Sequence, residues 1–242
     1  MKALILAAGL GERMRPLTNT TPKPLLLAGG KPLIAWHIEK LAAMGVRDIV
    51  VNTSWLAERF PETLGDGAHW GVRLHYSYEG PTPLETGGGM WHARTLLGDA
   101  PFLAVNGDIW TDIDFAALPR EPAGDAHLVL VDNPTHHPNG DFILRDDGHV
   151  HDHVEGSSSL AARLTFAGIG VYRASLFDDW RTTIGDEPGA DETPPRFKLA
   201  PLLRNAMQAG RVSGCHHRGP WTDVGTPERL AQLDAALRAT AT

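Results

Sequence analysis

Apolar positions first appear as a short block, KALILA at residues 2–7, closed by Gly9 and Gly11. A block of that length running into glycines reads as a buried strand that opens into a glycine-rich loop. From Pro32 to Met44 the pattern changes, with Leu33, Ile34, Ile38 and Leu41 at three- and four-residue spacing, Pro32 at the start and Gly45 just past the end. That is a helix with one face on a sheet. RDIVVN then reads as a strand, WLAERFPETLG as an interrupted helix, VRLHYSY as a strand, GGMWHARTLLG as a helix and PFLAVNGD as a strand. The alternation predicts an α/β, Rossmann-like, mostly parallel mixed sheet with helices on both faces.

After Asp114 the runs shorten to AHLVLVDN, DFILRD, HVHDHVE and RLTFAGIGVY, separated by NP, NG, DDG and GSSS. These turn signals predict an antiparallel β extension of the sheet. Two further helices, FKLAPLLRNAMQAG and PERLAQLDAALRA, flank a strand near VSGCHHRG and close the fold. The stretch GDEPGADETPP, residues 185–195, has no aliphatic residue beyond alanine and reads as a mobile solvated loop. No repeat or linker divides the chain, so residues 1–242 are expected to form a single domain.

Composition narrows the class. With 242 residues and 42% hydrophobic content, one substantial core is affordable. A formal net charge of -7 argues against a nucleic-acid partner, which would ask for a broad basic surface. The first 31 residues nevertheless hold Lys2, Arg13, Arg15, Lys23 and Lys31 against Glu12 alone, a local basic patch. The single cysteine, Cys215, excludes an intrachain disulfide and fits a reducing cytoplasm. MKALILAAGL stops being apolar at Gly9 and is followed by GERMR, unlike a signal peptide. No apolar stretch approaches the roughly 18 residues of a membrane span, so no membrane partner is expected.

Candidate chemistry begins in the loop from Gly9 to Pro24. Its glycines let backbone N–H groups face an anion, although two glycines also suit an ordinary turn. The cations tip that balance: Arg13 offers a planar fork for two phosphate oxygens, and Lys23 sits between Pro22 and Pro24, which restrict its backbone. The loop matches neither the Walker pattern nor the dinucleotide fingerprint. In LETGGG, Leu84 to Gly89, glycines permit close approach to a flat base or simply open a helix. VNGDIW puts Asp108 at the carboxyl end of a strand, where α/β sheets collect ligands, or leaves it as a cap. WTDVGTPERL puts Asp223 between a short strand and a helix starting near Pro227, with Thr226 as N-cap. The pairs His136/His137 and His216/His217 and the alternating His149, His151 and His153 read as solvated strand and turn positions, without the spacing of a zinc site.

The loop resembles the sugar-phosphate nucleotidyltransferases, or nucleotide-sugar pyrophosphorylases, whose signature GxGxRxxPxTxxxPKPL is filled here by Gly9, Gly11, Arg13, Pro16, Thr18, Pro22, Lys23, Pro24 and Leu25. That resemblance implies a GT-A-like fold, with residues 1–114 as the nucleotide-binding half and 115–242 as the sugar-binding half and closing helices. It implies that Leu6, Ala8, Gly9, Gly11, Glu12 and Arg13 wrap a nucleoside triphosphate and that Lys23 lies beside the reacting phosphates. Arg13, Lys23 and Asp108 would carry catalysis, and Asp108 with Asp223 would bind one Mg2+. Glu85 would accept the imide N–H of uracil, with backbone bonds from Gly88; thymine offers the same imide.

LETGGG, PFLAVNGDIWTD, LVLVDNP, GDF, TFAGIGVY, FKLAPLLR and WTDVGTPERL resemble, within that family, the uridylyltransferases of peptidoglycan recycling that act on N-acetylmuramate 1-phosphate. UTP and a sugar 1-phosphate are then the expected partners, with Asn106 contacting ribose or sugar and Gly140 and Asp141 forming a sugar-contacting turn. The family's Glu-Lys sugar pair is represented by Glu155, followed here by Gly156. A muramic sugar also carries a carboxylate, for which Lys198 or Arg163 is the candidate cation. Glucose-1-phosphate uridylyl- or thymidylyltransferase, mannose-1-phosphate guanylyltransferase and a non-catalytic nucleotide-sugar-binding regulatory subunit are the other readings. A monomer and a small homo-oligomer both fit.

Overall fold

Successive residues of the first strand serve opposite faces, Ala3 and Ile5 entering one apolar cluster and Leu4 the other. That is why its sequence is continuously apolar and does not alternate. The computed structural model describes residues 1–152 and 163–240. In chain order the first half holds β1 Lys2–Leu6, the small hairpin β2 Leu27–Ala28 and β3 Lys31–Pro32, α1 Leu33–Ala43, β4 Asp48–Thr53, α2 Arg59–Leu64, β5 Arg73–Tyr78, α3 Glu85–Leu97 and β6 Phe102–Asn106. There follow β7 Ile109–Thr111, β8 Ala126–Val131, β9 Ile143–Leu144, β10 Val150–His151 and β11 Thr165–Tyr172. The chain then forms α4 Trp180–Ile184, α5 Ala200–Gln208, β12 Val212–His217, β13 Trp221–Asp223 and α6 Pro227–Thr240.

Seven strands form one sheet in the order β12-β8-β11-β6-β1-β4-β5. β1 pairs in parallel with β4 and β6, β4 with β5, and β8 with β12, whereas β11 runs antiparallel to both β6 and β8. The expected antiparallel extension therefore takes the form of one reversed strand inside the sheet. Two short antiparallel pairs, β9–β10 and β7–β13, lie beside it.

Helices cover both faces. α1 and α2 contribute Ile34, Ile38, Leu41, Phe60 and Leu64 to one cluster; α3, α4 and α5 contribute Met90, Leu97, Trp180, Leu202 and Met207 to the other. A third cluster joins Met14, Ala28 and Leu33 to Val224, Leu230, Leu233 and Leu237, so α6 packs under the glycine loop and the segment after it. The Gly29 N–H donates to Asp234 Oδ1 at 2.8 Å and fixes α6 to the β2–β3 turn.

Residues 185–195 hold no helix or strand and are mostly exposed, as a solvated loop should be; the chain is fastened just beyond them. Phe197 donates its N–H to Leu84 O at 3.2 Å and accepts from Gly88 N–H at 2.9 Å, while Ala190 packs against the second cluster. Residues 195–197 form a strap across the start of α3, with Phe197 stacked on Trp180 at 4.7 Å between centroids; the helix expected from Phe197 begins only at Ala200. Because β1, β4, β5 and β6 are parallel, Ala7, Ser54, Glu79 and Gly107 all emerge at one edge of the sheet. The chain moves from β1 to β4 and β5 on one side and to β6 on the other, so the crevice opens at a topological switch point.

Candidate active site

The glycine loop is anchored at several points. Gly11 takes a left-handed φ of 63°, and its carbonyl accepts from Met14 N–H at 2.9 Å and Thr18 Oγ1–H at 2.8 Å. A Cβ on Gly11 would meet the Thr18 methyl at 2.9 Å, so glycine is required by conformation and by space. Lys23 lies in a single tight turn, Lys23–Leu25, entered from Pro22. Its side chain is only 10% exposed, and Nζ donates to Asp108 Oδ2 at 2.6 Å across 85 residues of sequence.

A cleft of about 730 Å³ opens above this pair, within the size of a small-molecule site. Leu6, Ala8, Gly9, Gly11, Glu12 and Arg13 line it, together with Lys23, Glu85, Asn106 and Asp108. Every nucleotide-side residue expected from the sequence is there except Gly88. The Gly88 N–H is already donated to Phe197 O, and a Cβ on Gly88 would lie 2.5 Å from Pro195 O. In this structure the glycine admits the strap, and its amide is engaged there. Glu85 adopts a φ of 62°, unusual for a residue with a side chain.

Two residues on this cleft escaped the sequence reading. Glu79 is 5% exposed, accepting from Asn52 Nδ2 at 2.6 Å and from Leu84 N–H at 2.9 Å. Asn52 Oδ1 in turn accepts from Ala7 N–H at 2.6 Å. Burial raises the Glu79 pKa, and the two donors only partly offset that. The chain of bonds ties the ends of β1, β4 and β5 to the LETGGG turn. Arg196, on the strap, also lines the cleft and pairs with Glu192 at 3.2 Å. Their only sequence signals were a polar residue ending an apolar strand and a lone cation after two prolines.

Asp108 and Asp223 come together through β7 and β13. Ile109 faces Asp223 in the antiparallel register, and Val224 N–H donates to Asp108 O at 2.8 Å. Both carboxylates line a second cavity of about 380 Å³ with Arg13, Asn106 and His136. Asp223 Oδ1 accepts from Arg229 Nη1 at 2.5 Å and lies 2.9 Å from His136 Nε2. His136 sits in an exposed turn, as expected from the sequence, and folding also brings its ring to Asp223 at the edge of this cavity. Among the described residues no cluster of three or more His, Cys, Asp or Glu side chains could hold a metal alone. Two hard carboxylates facing an open cavity suit an ion that completes its shell with water and phosphate, as Mg2+ does.

A third cavity of about 620 Å³ adjoins the first and contains Gly140, Asp141, Lys198 and Arg163 with Arg204 and Asn106. The Asp141 carboxylate is partly engaged, Oδ2 accepting from Phe166 N–H at 2.8 Å and Oδ1 lying 3.1 Å from His137 Nε2. Arg204 pairs with Asp152 at 2.9 Å. Among the described residues Asn106 alone lines all three cavities. Glu155 lies outside the described residues, as does His153. No helix among the described residues is long and apolar enough to cross a membrane.

The sequence profile of the family described as Nucleotidyl transferase matches residues 2–240. An N-acetylmuramate alpha-1-phosphate uridylyltransferase of Neisseria meningitidis is 49% identical over 97% of each chain, and one of Caulobacter vibrioides 34% identical over 97% of this chain and 96% of its own. A mannose-1-phosphate guanyltransferase of Yarrowia lipolytica is 32% identical over 94% of this chain and 61% of its own. Among solved structures, a Bacillus anthracis chain described as a glucose-1-phosphate thymidylyltransferase in complex with sucrose superposes with a TM-score of 0.81 at 21% identity, over 98% of this chain and 95% of that one. It is similar in fold.

Proposed function

The chain belongs to the nucleotidyl transferase family, and from that premise we propose that it transfers UMP from UTP to N-acetylmuramate 1-phosphate, releasing UDP-N-acetylmuramate and pyrophosphate for peptidoglycan recycling in the cytoplasm. The observation that carries the reading is the Lys23–Asp108 pair, where the cleft of the glycine loop meets the cavity that Asp223 lines, with the cavity of Lys198 joined to both through Asn106. The identity of the Neisseria and Caulobacter relatives supports the choice of substrates.

In this reading residues 1–114 hold the nucleotide and 115–242 hold the sugar and close the fold. A phosphate oxygen of the sugar 1-phosphate attacks the α-phosphorus of UTP in line; the new P–O bond forms as the bond to the β-phosphate bridging oxygen breaks, and pyrophosphate leaves. No protein nucleophile is consumed. The loop of Leu6, Ala8, Gly9, Gly11 and Glu12 positions the triphosphate, Arg13 neutralises its outer oxygens, and Lys23 stabilises charge on the reacting phosphate. Asp108 and Asp223 would hold Mg2+, which when bound neutralises phosphate oxygens as a Lewis acid. Glu79 or Glu85 accepts the imide N–H of uracil, the Glu79 carboxyl being held in place by Asn52 Nδ2 and Leu84 N–H. In the third cavity, Lys198, Arg163 and Arg204 offer cations to the muramic carboxylate, beside Gly140 and Asp141.

The test is a panel of UTP, dTTP and GTP against the 1-phosphates of N-acetylmuramate, glucose and mannose, read as pyrophosphate release. UTP with N-acetylmuramate 1-phosphate is expected to give the highest kcat/KM; a higher value for GTP with mannose 1-phosphate would overturn the substrate assignment. Lys23→Ala should lower kcat by about 10²–10³ with the fold intact. Tight UTP binding with no product at any Mg2+ concentration would point to a regulatory subunit instead.

A further inference from the structure

α1 carries a polar residue where its pattern asks for an apolar one. His37 is 1% exposed and lies parallel to Phe115, with ring centroids 6.2 Å apart. Its Nδ1 is buried without a hydrogen-bond partner among the described residues, so the ring makes one polar contact: Nε2 lies 2.9 Å from Ile109 O. A carbonyl only accepts, so Nε2 carries the proton. Burial pushes the imidazole pKa down to about 4, which keeps the ring neutral near pH 7.

The position of that carbonyl gives the contact its meaning. Ile109 and Asp223 are opposed in the β7–β13 ladder, and the adjoining bond runs from Val224 N–H to Asp108 O. A pair flanked in this way is not itself hydrogen-bonded across the ladder, so the N–H and C=O of Ile109 point away from β13. The Ile109 carbonyl is thus turned toward α1, and without His37 it would be a buried acceptor with no donor, at a cost of about 1–3 kcal/mol. Three residues along α1, Lys40 Nζ donates to Ile113 O at 3.0 Å, so two side chains of one helix face hold the segment that follows Asp108.

We propose that His37 is a positioning residue for the cation site: by fixing Ile109 it sets the spacing between the Asp108 and Asp223 carboxylates. The inference rests on the metal assignment made above. Its effect is outside the ligand shell and passes through the backbone, as the hydrogen-bonded partners of metal ligands do.

His37→Phe keeps the ring and its stacking on Phe115 and removes both nitrogens; His37→Gln keeps a side-chain N–H. Each is compared with the parent chain by Mg2+ titration of activity at saturating UTP. Binding of Mn2+ in the presence of UTP, read by water-proton relaxation without sugar phosphate, is the second measurement. His37→Phe is expected to raise the metal concentration at half effect about tenfold in both, with the KM for the sugar 1-phosphate changed less than about twofold, and His37→Gln to restore at least half of the shift on a logarithmic scale. Unchanged metal dependence in His37→Phe, with only a lower Tm, would overturn the inference and leave His37 as core filling. Should His37→Phe not fold, His37→Leu, which also lacks a donor, takes its place: it is expected to shift the metal dependence about tenfold with His37→Gln restoring at least half of that, and an unshifted His37→Leu titration rejects the inference. Asp108→Ala separates the two claims, since retained Mn2+ relaxation there would remove the metal assignment itself.

Discussion

Single residues at this site are defined by what stands a few ångströms from them. A Cβ on Gly89 would fall on Glu79 Oε1 and lie 2.9 Å from Asn52 Nδ2. Gly89→Ala should therefore break the bonds joining Ala7, Asn52, Glu79 and Leu84, raising the KM for UTP about tenfold and costing about 1–3 kcal/mol of stability in urea unfolding. His37 supplies a pH signature. The unfolded chain protonates it near 6.5 and the folded chain near 4, with Lys40 opposing and Asp108 favouring the cation. Its contribution is complete above about pH 6.5 and is lost as pH falls toward about 4, where the unfolded chain binds the extra proton, an effect of about 3 kcal/mol. Urea unfolding of the metal-free protein at pH 7 and pH 4.5 should show a smaller loss of stability on acidification in His37→Phe than in the parent. Lys23 and Asp108 were legible because each sits in a local motif; Glu79, His136 and Arg196 were not, since their partners are distant in sequence or, for Arg196, a cavity that no local pattern describes.

At the scale of elements, irregularities aim the site. β11 shifts register against β8 between Phe166 and Gly170, and Gly168 within the shift has a φ of 74° with Asn106 Nδ2 2.6 Å from where a Cβ would stand. Bulges of this kind beside a cleft re-aim neighbouring side chains. Gly168→Ala should lower kcat/KM by displacing Asn106, and the double variant with Asn106→Ala should lose little more than either alone, because both act on one contact. The sequence predicted a strand at TFAGIGVY from its apolar residues but carried no sign of the shift. The strap at Phe197 is the clearest departure: read as the first turn of a helix, it is extended chain whose backbone bonds both Leu84 and Gly88. The sequence pattern places Phe197 at the start of the next helix, whereas the helix begins at Ala200 and Phe197 stays in the strap.

Across the molecule, the last helix supports the first loop. Leu233 and Leu237 of α6 share a buried cluster with Met14, which lies within the glycine loop just after Arg13. Leu233→Ala should cost about 3 kcal/mol and raise the KM for UTP, though no atom of α6 lies in the glycine loop. Loss of stability without change in UTP binding would mean that the two ends are packed but not coupled.

By itself the sequence determined the class of sheet, most of its elements and the glycine-loop and VNGD motifs that line the cleft, because apolar spacing, glycine conformation and proline restriction act over a few residues. Tertiary structure alone decided that β11 enters the sheet reversed, that the strap takes the Gly88 amide, that Glu79 and His136 line the cavities beside Asp108, and that His37 meets the carbonyl next to it. Those outcomes depend on burial and on hydrogen bonds between segments brought together only when the sheet closes, and no local pattern encodes a partner that distant.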